Sequence, residues 1–398
     1  MGAQLPLGTP WPASNRLSVG AAGASFHAYV HIPFCVVRCG YCDFNTYTAT
    51  ELRGVNQAVF HEHLISEIVF SKAVLAGSGY PSKPLETVFF GGGTPSLVDP
   101  KSIGEIISAL NSNFGLSDGA EITLEANPES LTRSTISGFA SAGVNRISLG
   151  VQSFDPEVLK VLDRIHTLEK VEAAVQNVQD AGLRLSMDLI YGTPGESLAS
   201  WQQTLSATLA FSPGHVSAYS LIVEEGTALQ RRIAKGELAD VDEDLNADKY
   251  LMADEIFRAA GLQNYEVSNW GDPSRHNQAY WNSMDWWGYG PGAHSHIAGT
   301  RFWNHKHPAN YASWLTKGSP AHSMEQLSER TRLEERLLLE LRTSKGVPLS
   351  LTRDLGVSQQ KVAMAIADGF LTITPEQHLA PTLAGRLRVD GLVLSFLS

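Results

Sequence analysis

The chain has 398 residues, 43% of them apolar and 18% charged, with a formal net charge of −11. That length supports a large core and more than one domain, and the acidic balance argues against general nucleic-acid or anionic-membrane binding. No apolar run reaches the roughly 18 residues that a membrane-spanning helix needs, so only peripheral membrane contact stays open, and the cytoplasm is the expected location.

Residues 1–24, rich in Pro, Gly, Ala and Ser, lack a basic start followed by an apolar core, and are expected to form a flexible tail rather than a signal peptide. From 27 onward, short apolar runs alternate with helical patterns. The runs are HAYVHI (27–32), ETVFF (86–90), EITLE (121–125), NRISLG (145–150), LRLSMDLIYG (183–192) and HVSAYSL (215–221). Helical periodicity fills 55–75, 101–112, 132–142, 168–181 and 198–210. Alternation of this kind predicts βαβ units and a parallel sheet. Six units over 25–240 suggest an α/β fold, a partial (β/α)6 barrel, with an open doubly wound sheet as the competitor. Further on, 243–260 is a predicted amphipathic helix and QNYEVSNW (263–270) a further strand.

All three cysteines, Cys35, Cys39 and Cys42, fall within HIPFCVVRCGYC. Three thiols cannot all pair within one chain, and near neighbours close only a tiny loop, so metal-bound thiolates in a reducing compartment fit better. Zinc normally takes four protein ligands, and His31 is available in sequence as a fourth. The other reading is a four-iron cluster with one iron left open to an exchangeable molecule. If the barrel is right, each strand should end in something that faces its mouth. GGGTP (91–95) follows the second strand, where glycines let backbone approach a ligand closely. Glu125 closes the third strand, Gln152 follows the fourth, Asp188 lies in the fifth and Tyr219 in the sixth.

The C-x3-C-x2-C spacing, with Tyr41 just before the last cysteine, resembles the radical S-adenosylmethionine (SAM) superfamily. YVHIPFC, GGGTPS, EANPE, RISLGVQSF and DLIYGTPGE together resemble the branch of oxygen-independent coproporphyrinogen III oxidase and its relatives. The resemblance implies a [4Fe–4S] cluster on Cys35, Cys39 and Cys42 with SAM on its open iron. It places Tyr29 beside the cluster, Gly92, Gly93 and Thr94 on the SAM methionine, and Glu125, Gln152, Arg164 and Asp188 around the rest of SAM. Two departures separate the branches. The oxidase carries a further cysteine two residues after the third, where this chain has Phe44, so oxidase activity is not expected. Residues 276–281, HNQAYW, match the H-N-x-x-Y-W of the haem-chaperone (HemW-type) branch. That branch binds haem and delivers it to haem proteins such as respiratory enzymes. The alternative is the oxidase itself, decarboxylating coproporphyrinogen to protoporphyrinogen IX.

Residues 241–325 are expected to complete the site and to contact haem, with His276 as candidate ligand. Five of the eight tryptophans (Trp270, Trp281, Trp286, Trp287, Trp303) lie in this region, as do His276, His294, His296, His305 and His307. Composition alone favours core packing for such a stretch. Residues 326–398 show a helix, turn, helix and β-prone pattern that resembles a winged helix. Residues 325–398 hold nine basic and nine acidic side chains, so this end carries no net positive footprint and no nucleic-acid partner is expected.

Overall fold

The computed structural model describes residues 5–398. In chain order the elements are β1 (Thr9–Pro10), β2 (Phe26–Ile32), α1 (Phe60–Gly77), β3 (Leu85–Gly92), α2 (Pro100–Phe114), β4 (Leu116–Ala126), α3 (Arg133–Ala142) and β5 (Arg146–Gln152). Then come α4 (Pro156–Val161), α5 (Leu168–Asp180), β6 (Arg184–Tyr191), α6 (Leu198–Ala210), β7 (His215–Ser220), α7 (Ala228–Ala234), α8 (Glu243–Ala259), β8 (Asn264–Glu266) and β9 (Asn269–Gly271). The remainder is α9 (Arg275–Trp281), β10 (Asp285–Tyr289), β11 (His294–Ile297), β12 (Thr300–Asn304), α10 (Pro308–Thr316), β13 (Ala321–Gln326), α11 (Glu329–Glu340), β14 (Val347–Pro348), α12 (Leu349–Asp354), α13 (Gln359–Ala367), β15 (Leu371–Ile373), β16 (His378–Pro381), α14 (Leu383–Arg386) and α15 (Val389–Leu397).

Strands β2 to β7 pair side by side and parallel, in sequence order. They are the six predicted runs, joined by helices as a parallel sheet requires. Helix α2 shows how locally the sequence sets these joins. Asp99 caps it by accepting from Lys101 N, Pro100 takes a first-turn position where no amide hydrogen is needed, and Gly115 (φ +79°) ends it. Ile103, Ile106, Ile107 and Leu110 form its buried stripe.

The later part of the chain extends this sheet at both edges. Strand β10 pairs parallel with β2, and β11, β12 and β13 continue antiparallel beyond it. At the other edge, β9 and β8 follow β7. The single strand expected over 263–270 is thus two short antiparallel strands. Of the tail expected to be flexible, residues 1–4 lie outside the described residues; further on, Thr9 and Pro10 pair with β13, and Leu17 is buried in the main core. The aromatic stretch is largely core, with Trp270, Trp287 and Trp303 fully buried.

Residues 329–381 run helix, strand, helix, helix, strand, strand, the winged-helix order, closed by the sheet β14-β16-β15 around a separate core that includes Leu337, Leu341, Leu351 and Leu379. Arg386 docks this module on the barrel, donating to Asp254 (2.9 Å) and Tyr250 Oη (3.1 Å) of α8. Among the described residues, no helix is long and apolar enough to cross a membrane.

Glu67 of α1 ties the first helix to the far end of the chain. Its buried carboxylate accepts from Tyr311 Oη (2.6 Å), Gly290 N (2.8 Å), Asn304 Nδ2 (2.8 Å) and Trp287 Nε1 (3.4 Å). Burial pushes the carboxyl up to about 7, with these donors pulling the other way. Glu67→Ala strands the donors and is expected to cost about 3 kcal/mol, read from chemical denaturation midpoints. The raised folded value favours the protonated form. Its contribution is whole below the unfolded value of 4.5 and is lost as pH rises through about 7. Between pH 5 and 8, wild type should therefore lose stability more steeply than Glu67→Ala.

Candidate cofactor and metal centre

Parallel pairing brings the C-terminal ends of β2 to β7 to one rim, and a cavity of about 550 Å³ opens there. Every residue assigned to a site from the sequence lines it: Tyr29, Cys35, Cys39, Cys42, Gly92, Gly93, Thr94, Glu125, Gln152, Arg164, Asp188 and His276. Phe44 lies at the same cavity and is 63% exposed.

The cysteine loop leaves β2 and is pinned at its base. Cys35 N donates to the Tyr47 carbonyl (3.1 Å), Tyr47 N returns a bond to Pro33 O (2.7 Å), and Cys42 N closes a turn on Cys39 O (3.1 Å). A chain of side-chain bonds then joins the first two thiols across the strand ends. Thr94 Oγ1 donates to Cys35 Sγ (3.8 Å) and accepts from Asn127 Nδ2 (3.4 Å). Arg164 Nη2 donates to Asn127 Oδ1 (2.9 Å) and to the Gly150 carbonyl (2.8 Å), while Nη1 reaches Cys39 Sγ (3.6 Å). Asn127 was not assigned from the sequence. Its signal was there, two residues after Glu125 in EANPE, so that it leaves the strand on the Glu125 side.

Burial raises the Cys35 thiol and pushes Cys42 up to about 11, so both keep their protons until a metal displaces them. His31 is no fourth ligand. Its ring is buried, Nε2–H donates to Asn45 O (2.9 Å), and Nδ1 accepts from Tyr29 Oη (2.9 Å). Among the described residues, no three His, Cys, Asp or Glu side chains gather closely enough to hold a single metal ion.

The glycine run packs against this ring. Gly92 has φ +114°, and a Cβ there would lie 2.4 Å from the His31 ring; one on Gly93 would meet Phe34 O at 2.5 Å. Gly92 N donates to Glu125 Oε2 (3.1 Å). Burial pushes Glu125 up to about 7, with the Asp188 carboxylate adding to the rise. Burial also raises Asp188, against hydrogen bonds from Ser148 (2.8 Å) and Ser217 (2.9 Å). Gln152 sits at the β5–β6 irregularity with φ +66°, a conformation that a side-chain-bearing residue rarely takes and that is common at ligand sites.

HNQAYW forms α9 and supplies one wall. His276 and Tyr280, one helical turn apart, are hydrogen-bonded (Nε2 to Oη, 2.9 Å), and Asn277 reaches Tyr265 Oη (3.3 Å). The other nitrogen of His276 is hydrogen-bonded to Thr87 Oγ1 (2.6 Å), and its ring stacks on Phe89. Of the other four histidines and five tryptophans in this region, none lines the cavity.

Residues 29–207 match the model of the Radical SAM superfamily. Over 381 residues the chain is 41% identical to a protein named Heme chaperone HemW from Mycobacterium tuberculosis, covering 94% of this chain and 95% of that protein. It is 34% identical over 354 residues to the Heme chaperone HemW of Synechocystis, with 86% and 84% covered. Among solved structures, coproporphyrinogen III oxidase (HemN) from Escherichia coli shares the fold, with a TM-score of 0.79 at 22% identity over 94% of this chain and 90% of that one.

Gly92→Ala forces a side chain into the His31 ring at a backbone angle that costs about 1–2 kcal/mol in itself. The variant is expected to fold less stably and to bind SAM at least several-fold more weakly, by calorimetric titration. Wild-type affinity would show that the close approach is dispensable.

Proposed function

The chain belongs to the HemW family of the radical SAM superfamily, and on that premise we propose that it is a haem chaperone. In this reading it carries a SAM-capped [4Fe–4S] cluster and passes haem to acceptor proteins such as respiratory enzymes, in the cytoplasm. The observation that carries the reading is Phe44. The oxidase branch keeps a cysteine at this position, and here an exposed phenyl ring occupies the cavity mouth. Helix α9, with its HNQAYW, supports the same branch.

The residues suit both cofactors. Three thiols on one pinned loop, with His31 committed elsewhere, would hold a four-iron cluster through three protein ligands. Glu125 and Asp188 are the acidic side of the SAM site, matched to a ligand with a sulfonium and an ammonium. Gly92 and Gly93 would let backbone approach it, Thr94 and Arg164 hold the thiol-bearing loop against the strand ends, and Gln152 lines the same cavity at the end of β5. When bound, the cluster supplies an electron and SAM a sulfonium able to take it. Tyr29 holds His31 in the tautomer that anchors the loop at Asn45.

One anaerobically reconstituted sample tests this reading. Hemin is expected to bind stoichiometrically, and coproporphyrinogen III with SAM and a reductant is expected to yield no protoporphyrinogen. Sustained turnover would make the protein an oxidase. Cys35→Ala, Cys39→Ala and Cys42→Ala should each lose the cluster; full iron and sulfide in any of them would remove that thiol from the ligand set.

SAM uptake should also depend on pH with a definite sign. Glu125 keeps its proton up to about pH 7 in the free protein, and a cationic ligand favours the ionised form. Affinity is therefore expected to tighten as pH rises through about 7, with a proton released below it, measured calorimetrically in two buffers. Glu125→Gln should flatten the dependence, and a flat wild-type profile would take Glu125 out of the site.

A further inference from the structure

Three arginines line the cofactor cavity, and two of them are engaged. Arg38 donates to Glu51 (2.9 Å), and Arg164 to Asn127 (2.9 Å) and Gly150 O (2.8 Å). Arg146 differs. Among the described residues, no side-chain hydrogen bond and no ion pair engages its guanidinium. The residue is 4% exposed, yet its nitrogens are not sealed off by protein, because it borders the cavity. A guanidinium is always charged, and burying a charge without a partner is strongly unfavourable, so such a group calls for an explanation.

Its place in the fold is the floor of the barrel. Side chains alternate along a strand, so Arg146, Ser148, Gly150 and Gln152 share the inward face of β5, and all four line the cavity. Along the strand, Arg146 lies roughly 20 Å from Gln152, at the end away from the cysteine loop. The acids of the flanking strands are already committed. Glu121 of β4 pairs with Arg184 (3.3 Å) and accepts from His276 N (3.2 Å). Asp188 of β6 accepts from Ser148 (2.8 Å), Ser217 (2.9 Å) and Ser186 (3.3 Å). The nearby histidine is satisfied too, with His215 Nδ1 on Ser186 Oγ (2.7 Å) and Nε2 on Tyr265 Oη (3.0 Å). Burial keeps that ring neutral, and Arg146 adds to the effect. Arg146 is left as the unpaired charge of the floor.

We infer that the barrel floor is a carboxylate subsite, in which the Arg146 fork takes the carboxylate of a ligand lying deeper than SAM. A planar guanidinium meets a carboxylate through two parallel hydrogen bonds, and this one has its donors free. SAM itself is not that ligand, because Gly92 to Thr94, the segment assigned to its methionine, stand at the opposite end of the cavity. Glu125 and Asp188 lie between mouth and floor. Burial raises both toward the neutral form, which weakens their opposition to an entering carboxylate. The carboxylate belongs either to a free small acid or to a propionate arm of haem. The subsite does not depend on the chaperone reading; only the haem source does.

The test uses the full chain, anaerobically reconstituted and saturated with SAM. Sodium propionate is titrated against thermal unfolding, with sodium chloride at equal ionic strength and neutral propionamide as controls. Wild type is expected to be stabilised by propionate beyond chloride, and not by propionamide. Arg146→Gln should weaken that response about tenfold or more while keeping iron, sulfide and SAM affinity. Arg146→Lys keeps the charge without the fork and should fall between the two; it decides the matter if Arg146→Gln does not fold. Hemin and its dimethyl ester identify the source. If a haem propionate reaches the floor, esterification weakens binding to wild type but not to Arg146→Gln. If a free acid occupies it, esterification has the same effect on both proteins and the propionate response alone depends on Arg146. The subsite is overturned if neither the propionate response nor the esterification effect depends on Arg146. It is also overturned if Arg146→Gln loses SAM affinity as strongly as it loses propionate, which would make Arg146 the counter-charge of Asp188.

Discussion

Six parallel strands hydrogen-bonded in one unbroken run deliver all their C-terminal ends to the same rim, and the rest of the molecule depends on that constraint. Residues separated by more than a hundred positions, such as Cys35 and Asp188, line one cavity because β2 to β6 stand in register. Ile32 pairs with Gly92 and Gly150 with Asp188. The cysteine loop can then be short, because the strand ends do most of the positioning. Thr94, Asn127 and Arg164 come from three different segments of the barrel, and together they link two of the thiols.

Much of this was readable before any coordinates, for physical reasons. A buried parallel strand needs an apolar run and a helix after it, and both leave strong periodic signals, so the six units came out within a few residues. Functional groups at strand ends were legible because the barrel predicts where they must be. What escaped was short or remote. The pairing of β1 with β13 uses two residues and a partner more than 300 positions away, and nothing local marks it. The β8–β9 bend divides an apolar stretch that looks continuous. The aromatic stretch reads as core packing by composition, and Trp270, Trp287 and Trp303 are core where the sheet gains extra strands. For His31 the residue type alone left ligation open, and only the partners of each ring nitrogen show that it is committed elsewhere.

The cofactor cavity has a neighbour, a second cavity between the cysteine loop and the corner joining α4 to α5. Val37 and Arg38 of the thiol-bearing loop line both cavities, as does Arg164.

The thirteen-stranded sheet ends in stubs, with β1 two residues long at one border and β8 three at the other. Long bare borders are what let one polypeptide recruit another by adding a strand, productively or as aggregate. Among the described residues, neither border offers the length for that. Short borders of this kind leave the sheet's own backbone little to offer an incoming strand.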